Sequence, residues 1–311
     1  MIRTFAADDA AGIIHDPATG FHHRPPWRPG AGRQVLDDTN LHQWPTVGSA
    51  DISRSTPVSL CWSPLVRCNL SCPHCLDDTT VTERGAADRA TIAATLAASG
   101  VLGIDISGGE PLLLRDLPDL ARRITAGGTT AVSVTTNGWH LARQVDRLTG
   151  AIDAVRVSMD GPTANAHDAH RGPDSFRRAC YGIRAAVAAG LPVQLQFVLM
   201  SANQHHLPAM IDLAADLEAG GLTVLQMLPI GTGAVLANTQ MLTDDTAQQR
   251  VDALTTPPGF RLRLRRRAAD AGSFTVIRAD GRVWRNDPHG QGITRLGPLT
   301  TAAELTCDGA R

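Results

Sequence analysis

The sequence predicts an α/β protein, a partial parallel (β/α)6 barrel with a short C-terminal β-hairpin/helix extension. Three observations carry this reading. Between Val58 and Gly233, short apolar runs of strand length alternate with segments of helical spacing. Each run ends in small or polar residues, where a parallel barrel places its loops and its chemistry. A content of 43% hydrophobic residues in 311 positions suits one barrel-sized core plus an appendage.

The elements follow in order. Val58–Ser63 reads as the first strand and leads into Cys68-Asn69-Leu70-Ser71-Cys72-Pro73-His74-Cys75. After a helix at about Ala86–Ser99, the strand Leu102–Ile106 runs into Ser107-Gly108-Gly109-Glu110-Pro111. A helix at Asp116–Ala126 precedes the strand Ala131–Thr136, which ends in Asn137-Gly138. A helix at His140–Thr149 precedes Ala154–Met159, which ends in Asp160-Gly161-Pro162. Helices at Ser175–Ala189 and His205–Ala219 flank the strand Val193–Met200 with Asn203 behind it. The strand Leu222–Leu228 closes the series at Pro229-Ile230-Gly231-Thr232-Gly233.

The ends of the chain are patterned differently. Residues 1–56 hold Pro25-Pro26-Trp27-Arg28-Pro29-Gly30 and few regular repeats, so an extended N-terminal arm is expected before a barrel at 57–233. In the extension, 234–311, a linker and helix lie within Ala234–Leu254. Phe260–Arg267 then reads as an edge strand with Arg261, Arg263 and Arg265 on one face. A solvated charged face is its ordinary reading, and a patch for an anionic substrate is the alternative. Ser273–Arg278 and Arg282–Arg285 form an expected hairpin with Asp280-Gly281 at its turn.

Composition narrows the function. The net charge of −1 gives no field for nucleic acid or an anionic membrane surface. No apolar run is long enough to span a bilayer, and the first residues lack a signal peptide's apolar segment. Six cysteines, three of them clustered, point to a reducing cytoplasm. All 29 basic residues are arginine, and without lysine a pyridoxal-phosphate Schiff base is excluded.

Cys68, Cys72 and Cys75 cannot pair off as disulfides without leaving one over, and they are one ligand short of a closed zinc site. They suit an iron–sulfur cube with three irons held by protein and one left open. The bland readings are a zinc knuckle for the cysteines, a tight turn for Gly108-Gly109 and for Asp160-Gly161-Pro162, and a core hydroxyl for Ser158. His74 reads as a helper to the loop, while His22-His23 and His205-His206 read as solvated rather than metal-binding.

From Val58 to Gly233 the chain resembles the radical S-adenosylmethionine (SAM) superfamily, whose core is a partial TIM-like barrel of six such units. The resemblance implies that Cys68, Cys72 and Cys75 ligate one [4Fe–4S] cluster. It implies that Ser107, Gly108, Gly109 and Glu110 form the edge that receives the SAM amino group. Thr135 and Asn137 face the same volume, Ser158 and Asp160 match a strand end that holds SAM polar groups, and Arg171 matches an arginine that pairs with the SAM carboxylate. The hairpin and Leu296-Gly297-Pro298-Leu299 resemble the SPASM/twitch extension of peptide- and natural-product-modifying members. Its auxiliary-cluster cysteines are missing, with Arg285-Asn286-Asp287-Pro288 and Ala269-Asp270-Ala271-Gly272 in their places and Cys307 alone downstream.

What the resemblance implies is reductive cleavage of SAM to a 5′-deoxyadenosyl radical, with an electron donor such as flavodoxin or ferredoxin. That radical would abstract hydrogen from a peptide or natural-product intermediate, giving a cross-link or an oxidation. The alternatives are a sugar- or nucleoside-modifying dehydratase or decarboxylase, a peptide epimerase, an iron–sulfur electron carrier or sensor, and a structural zinc protein. An epimerase needs a thiol hydrogen donor, for which Cys61, facing into the predicted barrel, is the candidate over Cys180 and Cys307.

Overall fold

A computed structural model describes the chain apart from residues 78–79, 268–273, 287–292 and 307–311. In chain order the strands that matter here are β1 (Ile2–Asp8), β2 (Ile13–His15), β3 (His22–His23), β4 (Gly32–Asp37) and β5 (Ser59–Trp62). The helix α1 (Ala86–Ala97) leads to β6 (Gly103–Ile106), and α2 (Leu117–Thr125) to β7 (Ala131–Thr136). Then come α3 (Leu141–Leu148), β8 (Ala154–Ser158), α4 (Ala164–Arg171), α5 (Ser175–Ala188), β9 (Val193–Leu199), α6 (Leu207–Asp216) and β10 (Gly221–Gln226). The chain continues through α7 (Ala237–Gln240), α8 (Asp244–Asp252), β11 (Arg261–Arg265), β12 (Thr275–Ile277), β13 (Arg282–Asn286) and β14 (Ile293–Pro298).

The expected six strands lie side by side and parallel, β5 through β10 in sequence order. Two further strands extend the parallel run. β11 pairs with β10 in the register Thr223↔Arg263, and β12 pairs with β5 in the register Val276↔Cys61. β12 and β13 form the expected hairpin, with Val276 opposite Trp284, and β14 completes the sheet.

Alternation along the parallel strands explains the layering. Leu60 and Trp62, Ile104 and Ile106, Val132 and Val134, Val155 and Val157, Leu195 and Phe197 all join the core beneath the helices. Fully burying each such side chain stabilises the fold by about 1.5–3 kcal/mol. The helices meet them with stripes such as Leu141, Val145 and Leu148 of α3. The intervening residues line an interior cavity and are mostly polar: Ser59, Cys61, Asp105, Ser133, Thr135, Arg156, Ser158 and Gln196. A barrel filled by layers of branched apolar side chains would leave no such space. This one is hollow and lined by polar side chains.

The expected extended arm is instead an antiparallel sheet of order β3-β2-β1-β4. β2 and β3 are short, and Ala6, Ala7 and the His22-His23 pair carry little β propensity, so no alternation announced them. Ala6 and Ile13 pack on Val58, Leu102 and Ala131, which sit at the N-terminal ends of the barrel strands. Arg33 binds both carboxylate oxygens of Asp153 at 2.6 and 2.8 Å. The sheet therefore covers the barrel floor.

His22 and His23, expected to be solvated, are each 4% exposed. Nδ1 of His22 lies 3.1 Å from Nδ1 of His15. Burial, reinforced by Arg156 and opposed in part by Asp16, pushes the His15 imidazole down to about 3. Burial and the neighbouring His15 hold His22 well below its ordinary value. An unfolded histidine titrates near 6.5, so below that pH the unfolded chain takes up protons that the folded one refuses. Stability of the N-terminal sheet is therefore expected to fall as pH drops from about 6.5 toward 3. Hydrogen exchange of residues 2–15 measures this. The loss of protection below neutral pH, after division by the intrinsic exchange rate, should be smaller in His15→Gln, and equal profiles would contradict the assignment.

Candidate active site

The cysteine loop leaves β5 at the C-terminal end of the barrel. Cys68 is exposed and Cys72 and Cys75 are partly buried, and all three line the interior cavity, about 260 Å³ in volume. Backbone N–H groups of Leu70 and Asp77 approach Sγ of Cys68 and Cys75 at 3.4 Å each. The carbonyl of Cys75 accepts from Gly233 N at 2.9 Å, which ties the loop to the turn after β10. Burial pushes the Cys68 and Cys75 thiols up and Cys72 up to about 11, so a metal must displace protons to bind. Among the described residues no three His, Cys, Asp or Glu side chains converge on a single ion. A cubane does not ask for that, since each thiolate takes its own iron.

Gly108 and Gly109 carry the loop from below. Gly109 N donates to Leu65 O at 3.0 Å and Glu110 N to Arg67 O at 2.9 Å. A Cβ at Gly109 would overlap the carbonyl oxygens of Val66 and Arg67, and one at Gly108, whose φ is +118°, would stand 2.5 Å from Leu65 O. The glycines thus let the cysteine loop dock on the end of β6. Gly109→Ala is expected to displace residues 65–67 and lower cluster occupancy in reconstituted protein by about half or more. Full iron content in that variant would contradict the docking role.

The structure moves two acids out of the ligand cavity. Glu110 was expected to receive an ammonium group, yet it is fully buried. Its carboxylate accepts from Leu112 N (2.9 Å), Thr136 Oγ1 (2.7 Å) and Asn137 N (2.8 Å). Burial raises its pKa in spite of those bonds. Its role here is to pin the end of β7 to the turn after β6, which sets Thr135 and Asn137. Asp160 is also fully buried. It accepts from Arg171 Nε at 2.5 Å, His74 Nε2 at 3.0 Å and Val198 N at 3.0 Å. Burial alone would raise it, but Arg171 and His74 hold it well below the usual carboxylate range.

Ser107, Gly108, Gly109, Thr135, Asn137, Ser158 and Arg171 do line the cavity together with the three cysteines. Asn137 Nδ2 reaches Asn69 Oδ1 at 3.0 Å and Cys68 Sγ at 3.8 Å. His74 lines it too and is locked by Asp160, as a helper to the loop should be. Cys61 Sγ lies 2.8 Å from Ser107 Oγ inside the cavity, and burial pushes its thiol up to about 12. Cys180 packs against the core from α5 instead, and Cys307 lies outside the described residues.

Asp105, Arg156 and Gln196 line the cavity without having been singled out in the sequence, and the arginines of β11 follow the alternative to a solvated face in part. Arg263 and Arg265 line the cavity, and Arg261 is held by Asp38 at 2.9 Å. The signal was present as polar residues at every second position of strands expected to be parallel, where apolar runs are the rule. A smaller apolar pocket of about 90 Å³ adjoins the cavity beside Arg265 and Phe274, walled by Val198, Leu225 and Met227. The residues in the auxiliary-cysteine positions 269–272 and 287–288 lie outside the described residues.

Residues 62–214 match the family described as the Radical SAM superfamily. A probable GTP 3′,8-cyclase of Metallosphaera sedula is 31% identical over 53% of this chain and 54% of its own length. The chain spans about half the length of the curated relatives it matches. Among solved structures, Streptococcus suis SuiB bound to precursor peptide SuiA superposes with a TM-score of 0.60 at 14% identity, covering 74% of this chain and 59% of SuiB. Native anSMEcpe with bound AdoMet and Cp18Cys peptide gives a TM-score of 0.59 at 19% identity, covering 80% of each chain. At such identities these two structures speak for the fold alone.

Proposed function

Residues 62–214 make this chain a member of the radical SAM superfamily, and from that premise we propose that it is an enzyme using one [4Fe–4S] cluster and SAM to abstract hydrogen from a peptide or natural-product intermediate. One observation carries the proposal. Three thiols, Arg171 and the Ser107-Gly108-Gly109 edge converge on a single cavity at the C-terminal ends of the parallel strands.

The donor set fits the group. Cys68, Cys72 and Cys75 would hold the cluster, and Ser107, Thr135, Ser158 and Arg171, which line the same cavity, would receive SAM. When bound, cluster and SAM together supply one-electron cleavage of the sulfonium to methionine and a 5′-deoxyadenosyl radical, chemistry beyond any side chain. The chain's own residues do the rest. Asp160 fixes the guanidinium of Arg171 and the ring of His74 in one orientation. Glu110 fixes the end of β7. The N-terminal sheet keeps bulk water from the barrel floor. An external one-electron donor such as flavodoxin or ferredoxin would serve it in the cytoplasm. Among the described residues no helix is long and apolar enough to cross a membrane.

The resemblance of the hairpin extension β12–β14 to that of peptide- and natural-product-modifying members supports the peptide class. The identity with a probable GTP 3′,8-cyclase supports a nucleotide- or sugar-type substrate as a second reading. Mass spectrometry of candidate peptides and nucleotides, incubated anaerobically with reductant and SAM, separates the two. The cavity position of Cys61 also bears on the outcome. In deuterated water we expect a product lighter by a pair of hydrogens, formed equally by Cys61→Ala. Deuterium on one inverted carbon, lost in that variant, would make the enzyme an epimerase instead.

A further inference from the structure

The C-terminal hairpin runs past the point where the cysteine loop leaves the barrel. β12 lies beside β5 with Ile277 opposite Trp62, and Ser63 N donates to Ile277 O at 2.8 Å. The residues that follow hold both ends of that loop. On the outgoing side, the carbonyl groups of Ala279 and Asp280 accept from Arg84 N at 2.9 Å and Arg84 Nε at 3.0 Å. Glu83, the residue before, accepts from Val66 N at 2.9 Å and Arg67 N at 3.0 Å. On the returning side, Arg278 forms an ion pair with Asp77, just beyond Cys75. The backbone N–H of Asp77 is the one that approaches Cys75 Sγ at 3.4 Å.

That ion pair is shut away from water. The side chains of Arg278 and Asp77 are 3% and 4% exposed, and the guanidinium carbon lies 4.9 Å from the ring centre of Trp284. A buried pair of this kind adds little net stability over apolar residues of the same size. What it supplies is direction and charge at one place. It fastens Asp77 to the end of a strand already fixed by its ladder with β5, and it sets a cation beside the segment that follows Cys75. Hydrogen bonds to the ligand sulfurs and the net charge nearby set the potential of an iron–sulfur group. An N–H aimed at Cys75 and a cation beside Asp77 both favour the added electron.

We propose that Arg278 is a positioning residue for the cluster: through Asp77 it holds the Cys75 end of the loop and raises the reduction potential toward that of an external one-electron donor. The extension, which lacks the auxiliary-cluster cysteines, then serves the cluster at Cys68, Cys72 and Cys75 as a clamp. The identity of the metal group rests on the proposed function, while the clamp itself rests on the residues named.

The test is a spectroscopically monitored redox titration of cluster-loaded protein without SAM, beside hydrogen exchange of the metal-free full chain. Arg278→Gln removes the cation beside Asp77 and should shift the midpoint to more negative potential by about 59 mV or more, a tenfold change for one electron. In the metal-free chain, exchange at residues 75–77 should quicken about tenfold while α3 and α5 keep their protection. Arg278→Lys keeps the charge and should recover at least half of the potential shift; no recovery would assign the effect to lost packing and overturn the role. Where Arg278→Gln fails to fold, Arg278→Met combined with Asp77→Leu replaces the pair without stranding a charge, and the same exchange is read. An unchanged potential in Arg278→Gln at full iron content, or unchanged exchange at residues 75–77 in either variant, would overturn the inference. A wild type that takes up no cluster would count against the proposed function alone, because the exchange still reads the clamp.

Discussion

Replacing Cys68, Cys72 and Cys75 together by alanine is expected to remove iron, sulfide and the brown colour while the barrel still folds. The three side chains face the cavity rather than the core, so their loss creates no packing defect of the kind that costs several kcal/mol. Wild-type protein reconstituted without oxygen should carry about four irons per chain, the content of one cubane. Iron and sulfide analysis beside a circular-dichroism melt measures both halves. A full four-iron cluster in the triple variant would contradict the assignment, since Cys61 sits on β5 beside Ser107 and Cys180 packs outside on α5. About eight irons in wild type would mean that other residues complete a second cluster.

Asp160→Ala is the substitution with the largest expected cost to stability. It strands Arg171, whose side chain is 10% exposed, and removes the acceptor of His74 and of Val198 N. Breaking a buried pair by deleting one partner costs about 3–5 kcal/mol, because the remaining charge stays buried without compensation. Urea unfolding should show that loss, and SAM affinity should fall with it as Arg171 swings free. Asp160→Asn keeps an acceptor for Val198 and should lose less. The pH dependence has the same origin. With its folded pKa held well below 3.8, Asp160 contributes stability that is present above that value and is lost as pH falls below it. A variant within about 1 kcal/mol of wild type would show that the cluster of Asp160, Arg171 and His74 is held by other contacts.

The parallel frame was legible because strand and helix periods alternate and because each strand ends in its own polar turn. Ser107-Gly108-Gly109 and the cysteines fell on such ends and meet in the cavity as expected. What the residue types did not reveal was direction. Glu110 and Asp160 follow cavity strands, yet both carboxylates turn behind the wall, where backbone N–H groups and Arg171 await them. The alternation of Arg261, Arg263 and Arg265 was seen, but which face pointed inward depended on β11 joining β10 in parallel, a long-range choice. The N-terminal sheet was invisible for a related reason. Its strands are stabilised by packing under the barrel and by Arg3, which binds the buried Asp16 and Asp38, and not by a local pattern.

Whether this cavity supports cleavage of SAM can be read from the products. Cluster-loaded protein is incubated without oxygen with SAM and a one-electron reductant, and 5′-deoxyadenosine and methionine are quantified by chromatography. Both products are expected in equal amounts, falling to background in the Cys68, Cys72 and Cys75 triple alanine variant. A protein that carries a full four-iron cluster, binds SAM and yields no 5′-deoxyadenosine would contradict it.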